Sequence, residues 1–268
     1  MDMKFTELGL EHFKTRVEEG VGILEINRPP ANAHNLEVLQ ELDQAIMAIR
    51  FDNDVKAVIF TSALTRFFSA GFDITVLRDE TPEYVGLSSQ FSKEVMLKIQ
   101  STRKIFIAAI NGHCMGGGLE LAMACDLRFC ANDSHIKLGM PEITLGLIPG
   151  EGGTQMLGRM VGKSKALYLM ISGETFDPAR AEEMGVVDKL VDSQELMDYT
   201  MEFAKKLAKG PGLAIGYNKL ALNEALDLPL PSALAFEREL QNQALASKDA
   251  KEGSTAFTQK RAPRFTGQ

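Results

Sequence analysis

The chain has little of what marks several common protein classes. Its three cysteines, Cys114, Cys125 and Cys130, form no CxxC pair, and only four histidines occur in 268 residues. A disulfide framework or a structural zinc site is therefore not expected, and the pattern fits a reducing cytoplasm. The opening segment, MDMKFTELGLEHF, lacks a basic stretch followed by an apolar run, so no signal peptide is expected. The longest strongly apolar window, near Ile105–Ile110, is too short to cross a bilayer. Positive charge is not in excess: 29 Lys and Arg stand against 36 Asp and Glu, for a net charge of −7. That balance argues against nucleic acid or an anionic membrane as a partner. It leaves room for a local basic site that takes an anionic small molecule.

Three familiar motifs are missing as well. The glycines at positions 112, 116, 117 and 118 do not give the GxGxxG spacing of a dinucleotide site. GRMVGKS, Gly158–Ser164, is one residue short of a phosphate-binding P-loop and does not follow a strand. No GxSxG nucleophile elbow occurs.

What is present reads as a soluble α/β protein. The chain is 45% hydrophobic and 24% charged, enough for a substantial core. Alternating residues from Phe13 to Asn27 around Glu19-Gly20 predict a β-hairpin. Apolar residues at 36, 39, 42, 46 and 49 predict a helix. Val55–Ser62 and Ile105–Ile110 read as buried strands, with a helix over roughly Ser88–Thr102 between them. DLRFCA and HIKLG read as further strands, and Val186–Val191 as a short one. From Leu196 onward the pattern is almost wholly helical, with breaks at Lys209–Gly212 and Leu228–Pro231. Strands alternating with helices over the first two-thirds indicate an α/β core with right-handed crossovers.

One stretch asks for more than packing. In INGHCMGGGLELAMACD, three glycines, Gly116–Gly118, stand at a predicted helix start, and Glu120 follows in its first turn. Taken alone, such a run is a turn or packing device more often than a site. The sharper reading uses the first N–H groups of the helix, which have no intrahelical partner and carry the positive end of the dipole. Without Cβ atoms around them, a substrate oxygen can reach them, as in a main-chain oxyanion hole. The loop FFSAGFDI, after the strand Val55–Ser62, offers a second small-residue turn at Ser69-Ala70-Gly71. A second isolated acid, Glu142, stands in GMPEITLGLIPG.

Together FFSAGFDI, INGHCMGGGLELAMACDLRF and PEITLGLIPGEGGTQ resemble the signature blocks of the crotonase, or enoyl-CoA hydratase/isomerase, superfamily. The resemblance runs from the N-terminal hairpin and NRPPANA to the closing FTQKRAPRF. It implies that an acyl-CoA thioester oxygen sits between the main-chain N–H groups of Phe72 and Gly117. It also implies two catalytic glutamates, Glu120 and Glu142, and a glycine, Gly150, that lets its loop pass close to a catalytic water. Two acids point to a hydratase, since isomerases of the superfamily look as if they keep one. By the same analogy Glu142 trades the Cα proton and Glu120 binds and deprotonates water. CoA is expected along the SAGFD loop, at Ala70, Asp73 and Ile74, with Lys260 in the C-terminal helix as a candidate for its phosphate. Two positions depart from the family pattern. Glu151 stands where many hydratases have a small residue, and His34 where an apolar residue is usual; His34 is read as packing or touching CoA.

The fold implied is α/β, a crotonase (ClpP-like) spiral of repeated ββα units in two roughly perpendicular sheets. Residues 1–195 would form that core and 196–268 a helical trimerisation region. A homotrimer or dimer of trimers is expected. No metal or redox cofactor is needed, and CoA enters as part of the substrate. The alternatives are an enoyl-CoA isomerase, a CoA-ester hydrolase, or a non-catalytic crotonase-like protein that binds RNA or a protein partner.

Overall fold

The computed structural model describes residues 4–268; residues 1–3, the first of the segment read for a leader, lie outside the described residues. Strands β1 (Phe13–Glu18) and β2 (Val21–Ile26) pair antiparallel, Phe13 opposite Ile26. Glu19 and Gly20 between them have φ of 47° and 85°, the sign that two-residue turns matched to strand twist require. After β3 (Ala33–His34), helix α1 (Leu36–Phe51) starts at Asn35, whose side chain accepts from the Val38 N–H. Its residues 38, 39, 42, 45, 46 and 49 are buried, the spacing of one helix face.

Strands β4 (Ala57–Ser62), β5 (Phe67–Ser69) and β6 (Gly71–Phe72) follow, then α2 (Ile74–Asp79) and α3 (Pro82–Gln100). Helix α3 begins six residues earlier than apolar spacing predicts. Thr81 caps it by accepting from Tyr84 N–H, and Pro82 opens its first turn. The first two turns carry mostly exposed residues, so periodicity gave no sign of them. Next come β7 (Ile105–Ile110), β8 (His113–Met115), α4 (Gly117–Ala124), β9 (Leu127–Ala131) and β10 (Leu138–Gly139). A 3-10 turn, Glu142–Leu145, leads to α5 (Gly153–Val161), α6 (Lys163–Ser172), α7 (Pro178–Met184) and β11 (Lys189–Val191). Helices α8 (Leu196–Ala208), α9 (Gly212–Ala225), α10 (Leu230–Leu245) and α11 (Lys248–Thr258) complete the chain.

The main sheet has the order β1-β2-β4-β7-β9-β11 and is parallel except for β1 with β2. Every residue of β4 is buried, as is all of β7 after Ile105. Such continuous apolar runs belong to strands covered on both faces. Helix α8 packs against β2, β4, β7 and β9 through Leu196, Thr200 and Ala204. Helices α9 to α11 follow it, and Lys219 of α9 reaches back to Ile99 O, Lys104 O and Asp126. No helix among the described residues is long and apolar enough to cross a membrane.

The strands outside the main sheet divide into a three-stranded sheet, β10-β8-β5, and a two-stranded one, β3-β6. These small sheets matter most for function. They bring the Ser69-Ala70-Gly71 turn, the glycine triplet and the NRPPANAH loop to one place.

Candidate active site

Helix α4 begins at Gly117, with Gly116 before it at φ 52° and ψ −127°. The Gly117 N–H occupies the first helical position, where no intrahelical acceptor exists. Gly71, at φ 90°, lies against it: a Cβ built on Gly71 would sit 2.7 Å from Gly117 N and 2.7 Å from Met115 O. The Gly71–Phe72 peptide and the start of α4 thus touch, which no side chain at position 71 would permit. The approach is equally close next door, where a Cβ on Gly118 would meet Ser69 O at 2.5 Å.

A polar strap holds the Gly71 turn. Arg28 Nη1 donates to Ala33 O at 2.7 Å and to Asp73 Oδ2 at 2.9 Å. Buried Asn32 donates from Nδ2 to Ser62 Oγ at 2.7 Å and Phe68 O at 3.1 Å, and Ser69 Oγ donates to Asn32 O. Main-chain bonds from Ala70 N–H to Ala31 O and Asp73 N–H to His34 O complete it. In sequence NRPPANA stands only as the segment that follows the hairpin, with no role for Arg28 or Asn32; the asparagine beside the prolines is the signal available there.

Two carboxylates converge on the glycine helix. Glu120 is 1% exposed. Its Oε1 accepts from Glu151 N–H at 2.8 Å and Gly153 N–H at 2.6 Å. Burial and then the charge of Glu151 push its carboxyl up to about 8 against those two hydrogen bonds. Glu142 opens the 3-10 turn, its Oε1 2.7 Å from where a Gly116 Cβ would be. Its Oε2 is buried with no hydrogen-bond partner among the described residues. Burial, with a smaller push from Glu151, raises Glu142 too. Gly150 precedes Glu151 in the loop between them, and its carbonyl accepts from Ser89 Oγ at 2.6 Å.

The two departures from the family pattern meet. His34 and Glu151, 117 residues apart, form a buried pair in which His34 Nε2 lies 2.9 and 2.8 Å from the two carboxylate oxygens. The residues are 2% and 3% exposed. Burial disfavours the imidazolium, but the charge and hydrogen bond of Glu151, then Glu120, outweigh it and raise His34 above its ordinary value. His34 therefore packs, and its partner is Glu151. Nothing in either residue's local sequence announces that contact.

Among the other expected residues, Ala70 and Asp73 lie on the same turn. Asp73 caps α2 by accepting from Thr75 N–H, and Ile74 is 62% exposed beside it. Lys260 is corrected in one respect: it stands past the end of α11, not within it, at φ 52°. Among the described residues, no hydrogen bond or ion pair joins it to residues 70–74. All three cysteines are buried and unpaired with one another. Among the described residues, no group of three or more His, Cys, Asp or Glu has the geometry to hold a metal ion.

The site thus offers a close pair of main-chain segments at Gly71–Phe72 and Gly117, with two carboxyls beside them, buried Glu120 and half-buried Glu142, both raised above their ordinary values. Such a set suits chemistry that moves protons next to a polarised carbonyl. Comparison with known proteins agrees in kind. Residues 16–268 match the enoyl-CoA hydratase/isomerase family. The short-chain-enoyl-CoA hydratase of Clostridium acetobutylicum is 36% identical over 245 residues, 91% of this chain and 93% of that one. The 2,3-dehydroadipyl-CoA hydratase of Escherichia coli K12 is 35% identical over 252 residues, covering 94% and 97%. Among solved structures, an enoyl-CoA hydratase from Bacillus anthracis superposes with a TM-score of 0.91 at 31% identity, covering 96% of this chain and 100% of that one. From the N-terminal hairpin to its C-terminal residue, this chain belongs to the enoyl-CoA hydratase/isomerase family.

Proposed function

We propose that the protein is an enoyl-CoA hydratase, adding water across the α,β double bond of an enoyl-CoA thioester. The observation that carries the reading is the pair of carboxyls, buried Glu120 and half-buried Glu142, both held above their ordinary values beside the glycine turn. The names of relatives at 35–36% identity over more than nine-tenths of the chain support it.

In this reading the thioester oxygen accepts from the N–H groups of Phe72 and Gly117. Water, held by Glu120, attacks Cβ and gives a proton to that carboxylate. The electrons of the double bond move toward the thioester, and Cα takes a proton from Glu142. One acid gains a proton and the other loses one, so the pair's total is unchanged. Charge grows on the thioester oxygen during the step, so donors fixed there stabilise the transition state more than the substrate. Gly150 keeps its loop free of a side chain beside the water. CoA is part of the substrate, running past Ala70, Asp73 and Ile74 with Lys260 near its phosphate, and the chemistry draws on protein groups alone.

The test is the ultraviolet absorbance of the conjugated enoyl thioester, followed with crotonyl-CoA and with longer and dicarboxylic enoyl-CoAs. Loss of absorbance with formation of a 3-hydroxyacyl-CoA supports the reading. Movement of the double bond without a hydroxyacyl product would make the chain an isomerase, and free CoA thiol a hydrolase.

A homotrimer or dimer of trimers is proposed alongside. Apolar side chains stand exposed on the 3-10 turn and its loop, at Ile143, Leu145, Leu147 and Ile148, and on α6, at Leu167 and Ile171. Light scattering coupled to size exclusion is expected to give three or six times the chain mass, and a monomer would overturn the assignment.

A further inference from the structure

The hydratase reading leaves two buried titratable groups without a task. The His34–Glu151 pair lies at the centre of the site. A Cβ on Gly117 would fall 2.5 Å from Glu151 Oε2 and 2.8 Å from both Cε1 and Nε2 of His34. The pair is therefore packed against the residue whose N–H lines the proposed oxyanion hole. His34 belongs to β3, which pairs with β6, with His34 in register with Phe72. The Glu151 main-chain N–H, in turn, donates to Glu120 Oε1. One ion pair touches all three segments that build the site: β6, the start of α4, and the loop that grips Glu120.

We infer that the His34–Glu151 ion pair is a positioning clamp, fixing the two N–H-bearing segments against the loop that holds Glu120 and setting the Glu151 carboxylate beside the Glu120 carboxyl. Neither residue is assigned contact with the reacting atoms. The kinetic consequences rest on the hydratase reading; the protonation consequence does not.

The charges around the pair set the sign. Glu120 faces Glu151 from the loop before α5 and Glu142 from the 3-10 turn. His34 faces Glu151, Glu120 and, from the loop before β3, Arg28. A negative Glu151 disfavours a second negative charge on Glu120, so removing it makes Glu120 give up its proton more readily. Removing His34 alone leaves Glu151 buried without its cation, a worse state than removing both.

The experiment is a carbon-13 carboxyl titration of Glu120 in the free enzyme, with kcat, KM and pH profiles on enoyl-CoA. It compares wild type, Glu151→Gln, His34→Leu and the double variant His34→Leu/Glu151→Gln. In Glu151→Gln the Glu120 midpoint and the alkaline limb of kcat/KM are expected to fall by about one pH unit. His34→Leu is expected to lower kcat about tenfold or more with KM within about twofold, because the groups remain but their alignment is lost. The double variant is expected to recover most of that loss. An unchanged Glu120 midpoint in Glu151→Gln overturns the inference. So does a double variant whose loss is the product of the single ones, since residues that act as a unit are not additive. If His34→Leu fails to fold, His34→Gln, which keeps a donor toward Glu151, replaces it and is held to the same split between kcat and KM. A folded wild type that hydrates no enoyl-CoA counts against the proposed function; the clamp is then decided by the carboxyl titration alone.

Discussion

Glutamine at position 120 or at position 142 is expected to lower kcat for enoyl-CoA hydration by about 10²–10⁴-fold in each case, with far smaller changes in KM. The amide keeps the shape of the side chain. At position 120 its oxygen still accepts from the N–H groups of Glu151 and Gly153, so the loop stays in place while the proton exchange is lost. The pH dependence follows from the same two groups. Glu120 is held up to about 8 and Glu142 is raised from 4.5. Between their two values the pair carries one proton, which is the number hydration needs. Wild-type kcat/KM should therefore rise as pH climbs through the Glu142 value, level off, and fall above about 8 as the pair's last proton leaves. In Glu120→Gln the residual activity should lose that alkaline limb. Steady-state absorbance assays across the pH range test both points. A variant within about tenfold of wild type would remove that glutamate from the chemistry.

The second large effect is expected at a residue with no side chain. Gly71→Ala should reduce kcat/KM by about 10²–10³-fold or more, the cost of losing one oxyanion-hole donor. Two causes act together. The φ of 90° lies where L-residues are strained. The added methyl would also lie 2.7 Å from both Gly117 N and Met115 O, atoms of a backbone that cannot swing aside. The segments must separate, and one N–H then leaves its aim. Gly158→Ala is the control. It adds a methyl within α5 where nothing lies within 4 Å, and should keep activity while adding about 0.5–1 kcal/mol of stability. Equal losses in the two variants would overturn the account.

How much of this was legible in the sequence depends on how local the cause is. The hairpin came from alternation and turn chemistry and α1 from burial every three to four residues, while β4 and β7 came from continuous apolar runs, because almost every residue in them is buried. The first turns of α3 escaped because they face solvent, and only Thr81-Pro82 marks them. The glycine triplet, the Gly71 turn and the two acids stood out by composition, and the family blocks joined them. The Arg28–Asn32 strap and the His34–Glu151 pair did not stand out. Each is a long-range contact made by polar side chains without periodicity. Sequence could flag His34 and Glu151 as odd, one at a time; only the fold says that they are one feature.

The short helix α2 has a consequence of a different kind. It hangs from the Asp73 cap, directly after the glycine turn, and none of its residues is buried. Folding therefore places almost no demand on residues 74–79, whereas the turn before them is fixed on every side. A stretch like that can change through mutation without risk to the core, a few bonds away from a turn that tolerates no side chain. A library randomised over those positions should therefore consist mostly of folded proteins.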